Sequence, residues 1–311
     1  MRSSGGTITR RQALGLAGAS GLAFTAAVSG LPKTLRVLEP DSALAARTAD
    51  VDPTMKTVAA SFQSQALGSR FHFVVYLPAS YARGSGRYPV VYFLHGLPAS
   101  PTSYLHLKWV SESLAQTGRE AILVIPQATR VADGDPEYQD WGPGDDWETA
   151  LAKELPSWMD ANYRTLADRL GRAIIGYSAG GYGASIIGLH HPETFSTIQS
   201  WSGYFQPTDP TGRTRISVGS AAENDSANVK NLIPALAKQF ARYPTKFAFY
   251  VGATDPTFVP ANTSLQQALT AAGIEHLFRL YPGAHTTALW QKHAPAWLAL
   301  AVDSLTGAPA L

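Results

Sequence analysis

No cysteine occurs anywhere in the 311 residues, and that one absence removes several chemistries together. Disulfide staples, thiolate nucleophiles, Cys-ligated metals and a lipid-modified N-terminal cysteine are all excluded. Charge is also scarce: charged residues are 15% of the chain and the formal net charge is +2. With no run of Lys or Arg to form a basic patch, nucleic acid is not an expected partner. Beyond the N-terminal segment, nothing reaches the roughly 18 consecutive apolar residues of a membrane span. No transmembrane anchor is therefore expected to remain after processing. What the chain does have is apolar surface, 45% hydrophobic residues, enough for the core of one large α/β domain.

Residues 1–31 read as a twin-arginine signal peptide. Arg10 and Arg11 precede a weakly hydrophobic stretch from Ala13 to Val28, and no charge interrupts Gln12 to Leu31. That layout predicts an exported protein, extracellular or cell-wall associated. Cleavage fits the small residues near Ala26–Ala27, or Ala45. Residues 32–56, rich in Pro, Ala, Asp and Thr without periodicity, read as a linker.

From there strands and helices alternate. "RFHFVVYLP" (70–78) alternates apolar and polar, as a strand exposed on one side would. "YPVVYFLHG" (88–96), "AILVIPQ" (121–127), "RAIIGYS" (172–178), "TIQSWSG" (197–203) and "KFAFYVG" (246–252) are short apolar runs ending in Gly, Pro or Ser. They suit strands buried on both faces of a mostly parallel sheet, and "EHLFRLYPG" (275–283) is a final strand. Helical spacing marks Trp147, Leu151, Leu155 and Trp158, after an N-cap at Asp145 or Asp146. Val229 to Tyr243, Ala261 to Ala272 and Thr287 to Leu305 are further helices. The alternation predicts a doubly wound sheet of about eight strands, mostly parallel, with helices on both faces.

The segment "GYSAG" (176–180) is Gly-x-Ser-x-Gly between a strand and a helix, the context of a nucleophile elbow. Ser178 is the candidate nucleophile, and a serine at its normal pKa needs a base. Of eight histidines, His285 alone leaves the last strand ahead of the last helix, where the chain order Ser, acid, His requires the base. The acid should leave the preceding strand, and "FAFYVGATDP" delivers Asp255 there. Asp225, in the polar "AAENDSAN", is its rival. An oxyanion would take the backbone N–H of Ala179 and a second from the loop "FLHGLPAS", with Leu97 the natural donor. The loop "YQDWGPGDDW" (138–147) offers Trp141 as a pocket wall, or is simply a Gly/Pro surface loop before the helix.

These motifs together resemble the α/β-hydrolase family that includes esterase D, feruloyl esterases and the secreted mycolyltransferases. The likeness runs from about Ser61 to Leu305 and includes "VYLPASY", "GYSAGGYGA", "HHPETFSTIQSWSG", "GATDP" and "GAHTTALW". "WETALAKELPSWMDANY" is similar to the mycolyltransferase branch. The resemblance implies a Ser178–His285–Asp255 triad in a domain spanning 57–306, with no large cap domain, metal or cofactor. It implies an ester, small or lipid-like, as substrate. The chain departs from the mycolyltransferases at His95 and Pro98, where that branch carries an acid and a base that help hold trehalose. Those enzymes also take a Glu farther along the acid loop, whereas residues 256–274 hold no Glu or Asp. The expected activity is an exported serine esterase, with acyl transfer to an alcohol, or a catalytically silent binding role, as the alternatives.

Overall fold

Eight strands form one sheet in the computed structural model, which describes residues 55–209 and 212–306 together with Ile8–Thr9. Apart from Ile8–Thr9, the segment 1–31 read as a signal peptide, and nearly all of the segment 32–56 read as a linker, lie outside the described residues. Ile8–Thr9 pairs in parallel with Ile216–Ser217. The main strands are β1 (Lys56–Gln63), β2 (Arg70–Leu77), β3 (Val90–Leu94), β4 (Ile122–Pro126), β5 (Arg172–Tyr177), β6 (Thr197–Trp201), β7 (Lys246–Gly252) and β8 (Leu277–Tyr281). Their spatial order is β8-β7-β6-β5-β3-β4-β2-β1. Only β2 runs antiparallel to its neighbours, β1 and β4.

The continuous apolar runs follow from burial on two faces. Val91, Phe93, Leu123, Ile125, Ala173 and Ile175 point to one face, while Tyr92, Leu94, Val124 and Ile174 point to the other. Each of the Val, Leu, Ile and Phe side chains among them contributes about 1.5–3 kcal/mol through burial. Helices α1 (Lys108–Gln116) and, at the C-terminal end, Thr287–Asp303 cover the first face with Val110, Leu114, Trp297 and Leu298. The second face is covered by α2, which runs as Trp147–Thr149, a π-helical turn Ala150–Glu154 and Leu155–Asn162. With it pack α3 (Ala179–His190), α5 (Val229–Arg242) and α6 (Val259–Ala271), a short α4 (Ala221–Ser226) preceding α5. The C-terminal helix Thr287–Asp303 is α7. Among the described residues no separate cap domain stands over the sheet, and no helix is long and apolar enough to cross a membrane.

Two details differ from the reading of the sequence. β2 is buried on both faces rather than one, because β1, which begins at Lys56, covers its outer edge and helices flank the sheet. Asp146 does occupy the N-cap of α2, but its carboxylate accepts from Gly142 N (2.8 Å) instead of from the helix. The helix N–H of Thr149 donates to Asp140 (2.9 Å).

One buried ionic cluster ties α2 to α3. Glu148 accepts from His190 Nδ1 (2.8 Å) and lies 3.1 Å from His191 Nε2. Burial opposes its charge, but the two histidines prevail and hold its carboxyl down to about 2. Burial likewise opposes the charge on His190, yet the Glu148 hydrogen bond and charge raise its imidazole above the ordinary value. The depressed carboxyl contributes stability above its unfolded pKa of about 4.3, lost as pH falls toward the folded value; the raised imidazole contributes stability below about 6.5, lost as pH rises through its folded value. Glu148→Gln is therefore expected to destabilise by roughly 1–3 kcal/mol between those limits. Urea denaturation across pH checks this; a penalty that does not shrink toward pH 2 would contradict it.

Candidate active site

The turn from β5 into α3 is forced into a shape that only small neighbours permit. Ser178 has φ 55° and ψ −122°, far from the regions an L-residue prefers, and such strain persists only where surroundings over-determine it. Its N–H donates to Trp201 O (2.9 Å), and its carbonyl accepts from Gly181 N (2.9 Å) and Tyr182 N (3.2 Å). A Cβ on residue 176 would lie 2.2 Å from Gly180 O, and one on residue 180 would lie 2.2 Å from Leu94 O. Both flanking glycines are thus demanded by backbone contact. The result is a hydroxyl at the N-terminus of α3, with Ser178 only 8% exposed.

The structure brings His285 and Asp255 to this hydroxyl. His285 Nε2 lies 3.0 Å from Ser178 Oγ, and His285 Nδ1 lies 3.0 Å from Asp255 Oδ2. Asp255, 1% exposed, uses its other oxygen to accept from Thr257 N and Phe258 N, each at 3.0 Å. One carboxylate therefore builds its turn and holds the imidazole. The His285 ring sits between Phe258 (4.7 Å) and Trp290 (5.1 Å), which restrict its plane. Asp225 instead accepts from Asn231 Nδ2 (2.7 Å) in the α4–α5 region.

The loop after β3 closes on the same spot. A Cβ on residue 96 would come within 3.0 Å of Ser178 Cβ and nearer still to the Tyr177 ring, so Gly96 lets this loop approach. Leu97 and Ala179 line one small cavity of about 10 Å³ together with Asp135, Glu137 and Tyr138. As the first residue of α3, Ala179 has an N–H that no carbonyl within the helix can satisfy. His95 is buried, its Nδ1–H donating to Gly96 O (3.0 Å), and burial pushes its imidazole below the ordinary value. Its own carbonyl accepts the Tyr138 hydroxyl. His95 is thus a loop-shaping residue. Trp141 is part-buried on its own loop, its indole N–H donating to Pro136 O (2.7 Å).

Two clefts of about 400 Å³ open near Thr197 and Lys246, at the starts of β6 and β7. Ligands of open α/β sheets bind outside the carboxyl ends of strands, which is where Ser178 stands. A further cavity of about 340 Å³ lies at that end, lined by Tyr204, Asn228, Lys230, Thr257 and Phe258. Among the described residues no three His, Cys, Asp or Glu side chains converge to hold a metal ion.

Residues 64–299 match the family described as "Putative esterase". The chain belongs to this esterase family. It is 31% identical over 143 residues to Esterase MT1326 of Mycobacterium tuberculosis, covering 46% of this chain and 31% of that protein. It is also 38% identical over 80 residues to the Diacylglycerol acyltransferase/mycolyltransferase Ag85C of Mycobacterium leprae, covering 26% of this chain and 22% of that one. The chain thus matches less than a third of the length of either relative. A solved ferulic acid esterase superposes with a TM-score of 0.65 at 26% identity, over 81% of this chain and 100% of its own. With this strand order, the esterase-family chain has the α/β-hydrolase fold.

The elbow contacts carry a test of their own. Gly180→Ala drives a methyl into Leu94 O and should cost about 3 kcal/mol or more, the upper end for overpacking. Gly86→Ala, with nothing within 4 Å of the new methyl, should change stability by less than about 0.5 kcal/mol. Equal urea midpoints for the two variants would contradict the steric account.

Proposed function

We propose that this member of the esterase family is an exported serine hydrolase that cleaves carboxylic esters through an acyl-enzyme on Ser178. The observation that carries the reading is the unbroken hydrogen-bond chain from Asp255 through His285 to Ser178, on a serine whose backbone is held in a strained turn. Ser178 Oγ attacks the carbonyl carbon as its proton passes to His285 Nε2. Asp255 accepts from His285 Nδ1–H, fixing the tautomer and favouring the imidazolium. The N–H groups of Leu97 and Ala179 stabilise the oxyanion. The carbon–oxygen bond to the alcohol then breaks, and His285 returns its proton to the leaving alcohol. Water attacks the acyl carbon, loses its proton to His285, and releases the acid while Ser178 regains its proton. These side chains complete the chemistry without a cofactor. Export is supported by Arg10–Arg11 and the weakly apolar stretch behind them.

Ser178→Ala should lower kcat by 10⁴-fold or more with thermal unfolding unchanged, since one oxygen is removed. Asp255→Asn should lower kcat by roughly 10⁴ because an amide misplaces the imidazole proton, while Asp225→Asn changes it little. Steady-state kinetics on p-nitrophenyl esters decides; the reverse order for the two Asp variants would assign the wrong acid.

Acyl transfer to an alcohol is the second reading, favoured by the likeness of "WETALAKELPSWMDANY" (147–163) to the mycolyltransferases. Transfer requires an acceptor held at an effective concentration that outcompetes water. With His95 buried in its loop and Pro98 beside it, the charged contacts that would hold a sugar there are absent from these two positions. Water is therefore expected to win. Incubation with an activated ester and millimolar trehalose or glycerol should yield mainly free acid. Acylated alcohol in excess would favour the transferase.

A further inference from the structure

Beside the proposed oxyanion donors stand two carboxyl groups that the mechanism above leaves unused. Asp135 and Glu137, from the loop between β4 and α2, line the same cavity of about 10 Å³ as Leu97 and Ala179. Glu137 is fully buried, and Glu137 and Tyr138 both have left-handed backbones, φ 50° and 59°. Glu137 Oε1 accepts the Tyr204 hydroxyl (2.5 Å), and Asp135 Oδ1 accepts Glu137 N–H (3.2 Å). Among the described residues the other two oxygens, Asp135 Oδ2 and Glu137 Oε2, are buried with no hydrogen-bond donor in range, although the Thr208 backbone faces the Glu137 carboxyl and favours its charge.

Were both carboxylates ionised, each would leave one buried oxygen without a donor and would repel the other. One proton between them supplies the donor and halves the charge. We propose that Asp135 and Glu137 share a proton at neutral pH and act as positioning residues that keep the oxyanion hole shaped and receptive to negative charge. Burial, then the Asp135 charge, raises the Glu137 carboxyl well above the usual range, and burial lifts Asp135 to about 6. The two carboxyls are therefore expected to release their protons in two separated steps, the second from Glu137.

The link to the oxyanion loop is short. Tyr138, next to Glu137, donates its hydroxyl to His95 O, and His95 is two residues before Leu97. Tyr204 clamps Glu137 from the loop after β6. Among the described residues, the other ionisable groups around the pair are shifted away from its titration or engaged elsewhere. The Tyr138, Tyr182 and Tyr204 hydroxyls are pushed well up by burial, and the His95 imidazole is pushed down. Arg130, the base of the same loop, is engaged with Asp133 (2.8 Å) and Asp145 (3.0 Å). Loss of the second proton at alkaline pH would put another buried negative charge beside the carbon–oxygen bond where negative charge develops. That opposes the transition state.

This inference rests on Leu97 and Ala179 being the oxyanion donors, and its test separates the two. The kcat–pH profile of wild type should fall by about tenfold on the alkaline side, the size of one added neighbouring charge. In Glu137→Gln and Asp135→Asn the amide donates to the remaining carboxylate and cannot lose its proton. Both variants should fall less than about twofold over the same range. Glu137→Leu should lower kcat by roughly 10–100-fold with KM little changed, most of it recovered by Gln, as expected for a displaced loop. Infrared difference spectra of the full chain at neutral pH provide a readout without turnover. Wild type should show the carbonyl stretch of a protonated carboxylic acid, and Glu137→Gln should lack it. An unchanged alkaline fall in both amide variants, or no such stretch in wild type, overturns the proposal. The stretch without Ser178-dependent hydrolysis would support the shared proton and strike the esterase reading instead.

Discussion

At Ser178 the backbone stands at φ 55°, ψ −122°, and the rest of the site is arranged around the cost of keeping it there. Strain of this kind is of order 1–3 kcal/mol. It is held by the Trp201 carbonyl on one side, the first turn of α3 on the other, and two glycines whose missing Cβ atoms leave room for backbone oxygens. A relaxed turn would drop the hydroxyl back toward the sheet and away from His285. Sheet, elbow and helix are thus one mechanical unit, with β6 supplying the acceptor and β3 the surface that Gly180 packs against.

That rigidity sets the terms for the polar groups around it. Asp255 holds its turn and His285 with different oxygens, so neither interaction can move without the other. Phe258 and Trp290 confine the imidazole plane, and Trp290 is in turn fixed by its indole N–H on Ser202 Oγ (3.1 Å). On the opposite side, Tyr138 and Glu137 line the cavity beside the loop that follows β3, Tyr138 bonding the His95 carbonyl. A Cβ on residue 183 would come 2.5 Å from the Tyr138 ring, so α3 carries a glycine to admit it. Preorganisation of this sort lets donors and charges act on the reacting bond without reorganising during the reaction.

Much of this was legible in the sequence because it is encoded locally. The runs at β3, β4, β5 and β7 are apolar on both faces and stop at turn residues, and Gly176 and Gly180 flank the serine for a steric reason visible in the pentapeptide. Chain order separated His285 from the other histidines and favoured Asp255 over Asp225. What stayed hidden depends on tertiary neighbours. β1, "KTVAASFQ", is a half-exposed edge strand with no clear alternation. Among its apolar residues α1 fully buries only Val110 and Leu114, too few to mark a helical stripe. The cap of α2 comes from Asp140, which the turn folds back to Thr149. The Asp135–Glu137 pair lay in a polar stretch that reads as surface loop; only the fold around it shows that the carboxyls are buried.

Ester cleavage by this site requires a covalent intermediate at one residue, Ser178. Rapid acid quench of the purified protein during turnover of an activated ester, followed by peptide mass spectrometry, tests it most directly. The acyl mass is expected on the peptide containing Ser178 and is expected to vanish in Ser178→Ala. An acyl group on any other residue during productive turnover, or turnover undiminished in Ser178→Ala, would contradict it.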